Sequence, residues 1–277
     1  MGSGLSRSAS VARGVLRESR KGGEGEVQDD LTIVILSAVE APLPECLAAV
    51  ETQEGGPYRV IHIKDCFPMS HAFNEMIRQS APSKYVVQVD GDVVLKPWAV
   101  QRLLEAIETT WWCYMAWGQL FEQGFGYGGS VRIWRRWPVR LAGFRDVRCV
   151  DRDLHHRMSV IAMRRLEVLG RTDQSVMAEH ETFGTHYPRN TPFARFSKSK
   201  GDALKWLHLG RTDLHEAFRE RVQGACLGET YPERLGLYAA SISTTRERSK
   251  NRHEDWWEYQ RLCAAYSRDL TSFTGVA

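Results

Sequence analysis

Between residues 31 and 109 the chain alternates short β-branched runs with segments of helical spacing, and this alternation restricts the fold more than any other feature. "LTIVILS" is apolar at nearly every position from Leu31 to Leu36, the pattern of a strand buried on both faces. "LPECLAAVETQ" spaces its apolar residues for a helix, and "YRVIHIKD" reads as a second strand. "MSHAFNEMIRQSA" reads as a second helix opened by Ser70, "KYVVQVD" as a third strand, and "WAVQRLLEAIE" as a third helix starting just after Pro97. Strands and helices joined by short connections predict an α/β fold with a mainly parallel sheet flanked by helices. Right-handed crossovers place the carboxyl ends of such strands on one edge, where these sheets bind ligands.

The remainder is less regular. Residues 1–30 are rich in Ser, Gly, Arg and Glu and offer little to bury, so a disordered tail is expected there. Met1–Ser6, "MGSGLS", matches the short pattern for N-myristoylation, as a cloning remnant also does. From 111 to 149 the chain turns rich in Trp, Tyr and Gly, which suits strands and irregular loops. Most of Trp111, Trp112, Trp117, Trp134 and Trp137 are expected in the core, with one or two lining an acceptor site. "VDRDLHHRMSVIAMRRLEVLG" reads as one helix ending near Gly170, and "MAEHETFGTHYPRNTPFARFSKSKG" as an ordered loop region. Helical segments then run to the end. The expected organisation is a tail (1–30), a catalytic domain (31–200, with halves 31–108 and 109–200) and a helical C-terminal extension (201–277).

Net charge decides little about partners. Thirty-seven Lys and Arg against 34 Asp and Glu leave +3, so electrostatics give no reason to expect nucleic acid. No apolar run reaches the roughly 20 residues that span a bilayer, and no secretory h-region is present. Six cysteines are scattered singly without a CxxC pair, which favours a reduced, cytoplasmic setting.

The third strand ends in "VQVDGDVVL". Asp90 and Asp92 lie at i and i+2, which on a strand face the same way. Two carboxylates at the carboxyl edge of a buried sheet suit Mg²⁺ or Mn²⁺, and such an ion commonly also holds substrate phosphates. The plain alternative is a solvated Asp-Gly turn.

"LTIVILS", the Asn-bearing "HAFNEMIRQSAPSKY" and "VVQVDGDVVLKPWAVQRLLEAI" together resemble family 2-type glycosyltransferases with the GT-A fold. The resemblance covers residues 31–108, fades by about 190 and leaves the last third uncovered. It implies a Rossmann-like half that binds a nucleotide-diphosphate sugar, a divalent metal (Mn²⁺ or Mg²⁺) and transfer to an acceptor hydroxyl, with inversion. By that similarity Asp92 is a metal ligand, and Asp90 faces the donor's ribose or sugar and joins the metal site. Asp65 and Asn74 fall on the donor side, although "IHIKDCFPMS" departs from the family's usual acidic segment at this point. "CVDRDLHHRM" resembles the segment that carries the catalytic base, which implicates Asp151 first and Asp153 second; Val150 replaces the family's first acid. His186 or His180 would complete the metal shell. Arg189, Arg195, Lys198 and Lys200 could close over the diphosphate, since Arg and Lys pair well with phosphate oxygens. The acceptor is left open among a glycan, a lipid-linked sugar, a small molecule and a protein.

Three other classes remain in view. A haloacid-dehalogenase-like phosphatase would use Asp90 as nucleophile, but its motif closes the first strand of the core. A sugar-phosphate nucleotidyltransferase needs a Gly-rich N-terminal loop that is absent after "LTIVILS". A non-catalytic nucleotide-sugar-binding protein would keep the fold without turnover.

Overall fold

The computed structural model describes residues 28–38, 42–122, 126–170, 181–187, 191–213, 215–217, 227–243 and 250–266. It is a mixed α/β structure whose first half follows the sequence closely. Strand β1 (Gln28–Ser37) leads to α1 (Pro44–Glu51), β2 (Tyr58–Lys64), α2 (Met69–Gln79) and β3 (Tyr85–Asp90). Then come β4 (Val93–Leu95), α3 (Ala99–Thr109), β5 (Cys113–Glu122), β6 (Gly126–Arg135), α4 (Arg136–Ala142) and α5 (Val150–Val160). The elements β7 (Arg164–Val168), β8 (Gly184–His186), α6 (Pro192–His208), α7 (Leu227–Ile242) and α8 (Arg252–Tyr266) complete the described chain.

The sheet runs β2-β1-β3-β6-β5-β8-β4, with β7 beside β5. It is parallel across β2-β1-β3 and antiparallel where β6 joins β3 and β5. Strand alternation divides the core into two layers. Leu31, Ile33, Ile35, Val87 and Val89 point to the α1/α3 side. Val34, Val86 and Trp134 point to the side of α2, α4 and α5. Gln88 and Asp90 share the parity of Val86, so they face the second layer. The fully buried Trp134 lies there edge-on to Phe144, their centroids 5.6 Å apart.

Several local expectations need correction. The strand expected at Leu31 already begins at Gln28, so residues 28–30 belong to the sheet; the tail before them lies outside the described residues. Helix α2 starts at Met69 after Pro68, with no side-chain cap, and Ser70 is buried inside it. The single helix expected over 150–170 stops at Val160; Ala162 takes a left-handed φ of 63°, and 164–168 pair as a strand along β5. The aromatic segment contains the helix α4 as well as strands. Only Trp134 of the five tryptophans is deeply buried, while Trp111, Trp112 and Trp137 are exposed. The expected loop region 177–201 contains β8 and most of α6, and α6 runs straight through the boundary placed after 200. Its N-terminus is capped by Thr191, whose hydroxyl accepts from the Ala194 N–H.

The C-terminal helices pack through their own small core of Phe193, Phe196, Leu235, Ala239 and Leu262. Their ionic groups are paired internally. Lys200 is buried against Asp255 (2.6 Å) and Glu258 (2.7 Å), and Arg195 forks onto Glu233 at 2.6 and 2.9 Å. Just before α8, the Lys250 carbonyl accepts from the Met69 N–H at the start of α2, which ties this region to the carboxyl edge of the sheet.

Candidate active site

The carboxyl ends of β1, β2 and β3 form the floor of the site. Asp90 is the last residue of β3, and Gly91 turns the chain so that Asp92 precedes the separate strand β4. The two acids therefore flank a turn rather than continue one strand. The main chain holds that turn: Gly91 N–H donates to Leu36 O (2.9 Å), and Gly91 O accepts from Leu43 N–H (2.8 Å).

Strand β8 brings the histidine. It pairs with β4 so that His186 lies opposite Val93, and with β5 so that His186 lies opposite Glu122. Tyr187 N–H donates to Asp92 O at 2.8 Å. His186 Nε2 is consequently 3.3 Å from Asp92 Oδ2, and its Nδ1 is 3.8 Å from Glu122 Oε2. Lys198, on α6, contacts Glu122. Close packing fixes β8 in this place. A Cβ on Gly118 would fall 2.3 Å from the Phe183 ring, and one on Gly184 would fall 2.4 Å from Val94 O.

The charges respond to this crowding. Burial opposes ionisation of Asp92, but the hydrogen bond and charge of His186, helped by Arg252, outweigh it and hold the carboxyl below its usual range. Burial likewise works against the imidazolium of His186, yet Asp92, Glu122 and Asp90 raise its pKa. Enclosure by protein, then the like charge of Asp92, pushes Asp90 up against the pull of Arg132, Gln88 and His186. Asp90 is nevertheless open to solvent at the end of β3, so that push is weaker than for a sealed carboxyl.

On the second-layer face, Arg132 of β6 lies opposite Gln88. Its Nη1 is 2.7 Å from Asp151 Oδ2 at the start of α5, so one guanidinium stands between the acids of β3 and α5. The other oxygen of Asp151, Oδ1, is buried without a hydrogen-bond partner among the described residues.

The expected site residues thus separate. Asp90, Asp92, His186 and Lys198 gather at one edge, and Asp151 joins them through Arg132. Asp65 closes β2 at the same edge with a left-handed φ of 52°, its N–H donating to Ser37 O. Asn74 departs from the donor set: its amide donates to Phe144 O and accepts from Phe144 N–H, both at 2.8 Å, tying α2 to the loop after α4. Asp153 also departs from the expectation. It pairs with Arg157 at 2.9 Å, and Arg157 caps the carbonyls of Ala142 and Gly143. Lys200 and Arg195 are held in the helical packing rather than over the edge. His180 and Arg189 lie outside the described residues. Glu122, Arg132 and Arg252 were missed in the sequence, because each reaches the site through non-local pairing and none sits in a motif.

Among the described residues no group of three or more His, Cys, Asp and Glu converges tightly enough to form a ready-made metal cage. The Asp92–His186 pair still fits two positions of one ion. Two donors about 2.1 Å from a common Mg²⁺ in octahedral geometry stand about 3 Å apart, near the 3.3 Å observed.

No protein-family model matches the chain, and no curated protein matches it. Among solved structures, it is similar to the mannosyltransferase PcManGT from Pyrobaculum calidifontis, solved with GDP-Man and Mn²⁺, with 12% identity over 90% of this chain and 79% of that one and a TM-score of 0.45. Staphylococcus aureus TarS with UDP shows 11% identity over 76% and 70% of the two chains at 0.38. The 4-diphosphocytidyl-2C-methyl-D-erythritol synthase of Anaerococcus prevotii shows 8% identity over 50% and 89% at 0.35. Likenesses this distant assign no activity.

Proposed function

We propose that the protein is a GT-A-type glycosyltransferase that moves a sugar from a nucleotide-diphosphate sugar to an acceptor hydroxyl with the help of Mn²⁺ or Mg²⁺. One observation carries the reading: β8 seats His186 against Asp92 at the carboxyl edge of the sheet, while Arg132 holds Asp151 on the adjoining wall. Asp92 and His186 would hold the ion, and Asp90 and Asp65 would face the nucleoside and sugar. The ion supplies positive charge for a departing diphosphate. Lys198 and Arg252 add cationic charge on the side of the C-terminal helices.

Asp151 would accept the acceptor's proton. In the inverting form, the acceptor oxygen bonds to the anomeric carbon as the bond from that carbon to the phosphate oxygen breaks. The proton passes to Asp151, and the nucleoside diphosphate leaves with the electron pair. Among the described residues Oδ1 of Asp151 has no hydrogen-bond donor, and a sugar hydroxyl would supply one. The phosphatase alternative has no comparable support, because its nucleophile would sit on the third strand in chain order rather than the first.

The test is thermal stabilisation by a panel of nucleoside diphosphates and nucleotide sugars, with and without Mn²⁺, followed by donor turnover. Metal-dependent stabilisation by one nucleotide is expected. Asp151→Asn should then abolish transfer while donor affinity stays within twofold of the parent. Stabilisation that ignores the metal would overturn the ion's role, and near-normal turnover in Asp151→Asn would remove the base.

A further inference from the structure

Among the described residues, the end of the sheet opposite the site carries several exposed apolar side chains. Main-chain bonds join the segments there. Lys84 N–H donates to Asp30 O, Arg136 N–H donates to Lys84 O, and Arg164 N–H donates to Trp112 O. Arg135 also reaches back to Thr110 O and Cys113 O. At this end Trp111 is 82% exposed, and Trp137 and Leu141 project from α4 one turn apart, Leu141 at 79%. Val160 and Ile161, at the end of α5, are 76% and 62% exposed. Solvated aliphatic and indole groups in this number are costly for a surface that stays in water.

The exposed charges on α4 and at the start of β7, beside Trp137, Leu141, Val160 and Ile161, are arginines. Arg140, Arg164 and Arg165 are exposed, and none forms an ion pair with a carboxylate among the described residues. Arg140 lies close enough to Arg136 for their charges to repel, and Arg164 and Arg165 face His155. The acids at this end, Asp29, Asp30 and Glu108, lie at the start of β1 and the end of α3, where Asp30 is paired with Lys84 at 2.8 Å and Glu108 stands near the same lysine. The chain also enters β1 from this end. The preceding 27 residues carry Arg7, Arg13, Arg17, Arg20 and Lys21 against three glutamates.

We propose that this end docks on an anionic lipid surface, with the indoles of Trp111 and Trp137 and the side chains of Leu141, Val160 and Ile161 at the headgroup boundary. Arg140, Arg164 and Arg165 pair with lipid phosphates. Exposed tryptophan beside aliphatic groups and arginine is the composition of an interfacial anchor, and the arginines of α4 and β7 select an anionic bilayer over a neutral one. Helix α5 runs from Asp151 at the site to Val160 at the docking face. That helical path is about 15 Å at 1.5 Å per residue, and strand β3 spans about 20 Å for six residues at 3.3 Å each. The site would therefore face away from the bilayer, towards acceptors in solution or on long projecting chains.

Flotation with vesicles tests this, using the full chain against pure phosphatidylcholine and against an equal mixture with phosphatidylglycerol. The parent should float with the anionic vesicles only. Arg140→Glu/Arg164→Glu/Arg165→Glu should weaken that binding by about a hundredfold or more, and Trp137→Ala/Leu141→Ala by about tenfold, with unchanged melting and circular dichroism. These side chains are exposed, so loss of fold is not expected to mask the result. Failure of the parent to float overturns the proposal. So does parent-like floating of both variants, which would assign binding to the N-terminal residues. A parent dimer that the Trp137→Ala/Leu141→Ala variant converts to a monomer overturns it as well, since a second copy would then cover the patch.

Discussion

His186 Nε2 stands 3.3 Å from Asp92 Oδ2 because two strand pairings place it there. The Tyr187 N–H bond to Asp92 O and the register of Val93 with His186 hold the backbone, and the side chains meet as a result.

If that pair holds the ion, Asp92→Asn and His186→Ala should each reduce Mn²⁺-dependent affinity for a nucleoside diphosphate by about tenfold or more, roughly 1.4 kcal/mol. Calorimetry with and without Mn²⁺ measures it. Equal affinity in the parent and both variants would place the ion elsewhere.

Asn74→Ala should act on stability and leave donor binding alone. It strands the N–H and carbonyl of the buried Phe144, a loss of about 1–3 kcal/mol. Asn74→Asp should also destabilise, because a carboxylate cannot donate to Phe144 O. Urea unfolding gives the first quantity and nucleotide titration the second; a variant that loses donor affinity at parental stability would restore Asn74 to the site.

Gly118→Ala should cost about 1–3 kcal/mol from overpacking, since its Cβ would meet Phe183 at 2.3 Å. Phe183 is wedged edge-on against Trp98, centroids 5.0 Å apart, so it has little room to yield. Because Phe183 leads directly into β8, the same change should weaken Mn²⁺ binding, and unaltered melting together with unaltered metal affinity would show that the ring shifts freely.

Glu75 should leave a signature in acid. Hydrogen bonds from Arg78, with help from Gln79, outweigh partial burial and hold its carboxyl at about 2, below an ordinary value of 4.5. A depressed carboxyl stabilises the fold fully above 4.5, and that contribution is lost as pH falls towards 2. Arg78 is largely solvated, so the effect is modest. Glu75→Gln should flatten the decline in melting temperature between those values, and an unchanged acid slope would contradict the assignment.

The sequence by itself determined the parallel half of the sheet. Residues 31–90 alternate buried strands with helices of clear period, and short connections leave few ways to assemble them. The position of Asp90, Asp92 and Asp65 at the sheet's carboxyl edge was legible for the same reason, since strand ends and sheet edges follow from local pattern. Tertiary structure decided the rest. The segment 164–168 reads as helix by composition yet becomes a strand because the edge of β5 offers it hydrogen bonds. Asn74 and Lys200 look like ligands in the sequence, but the Phe144 backbone and the Asp255–Glu258 carboxylates claim them. Glu122, Arg132 and Arg252 carried no local signal, because each gains its place from contacts distant in the chain. Periodicity records whether a residue faces the core; only pairing between remote strands decides which charges meet.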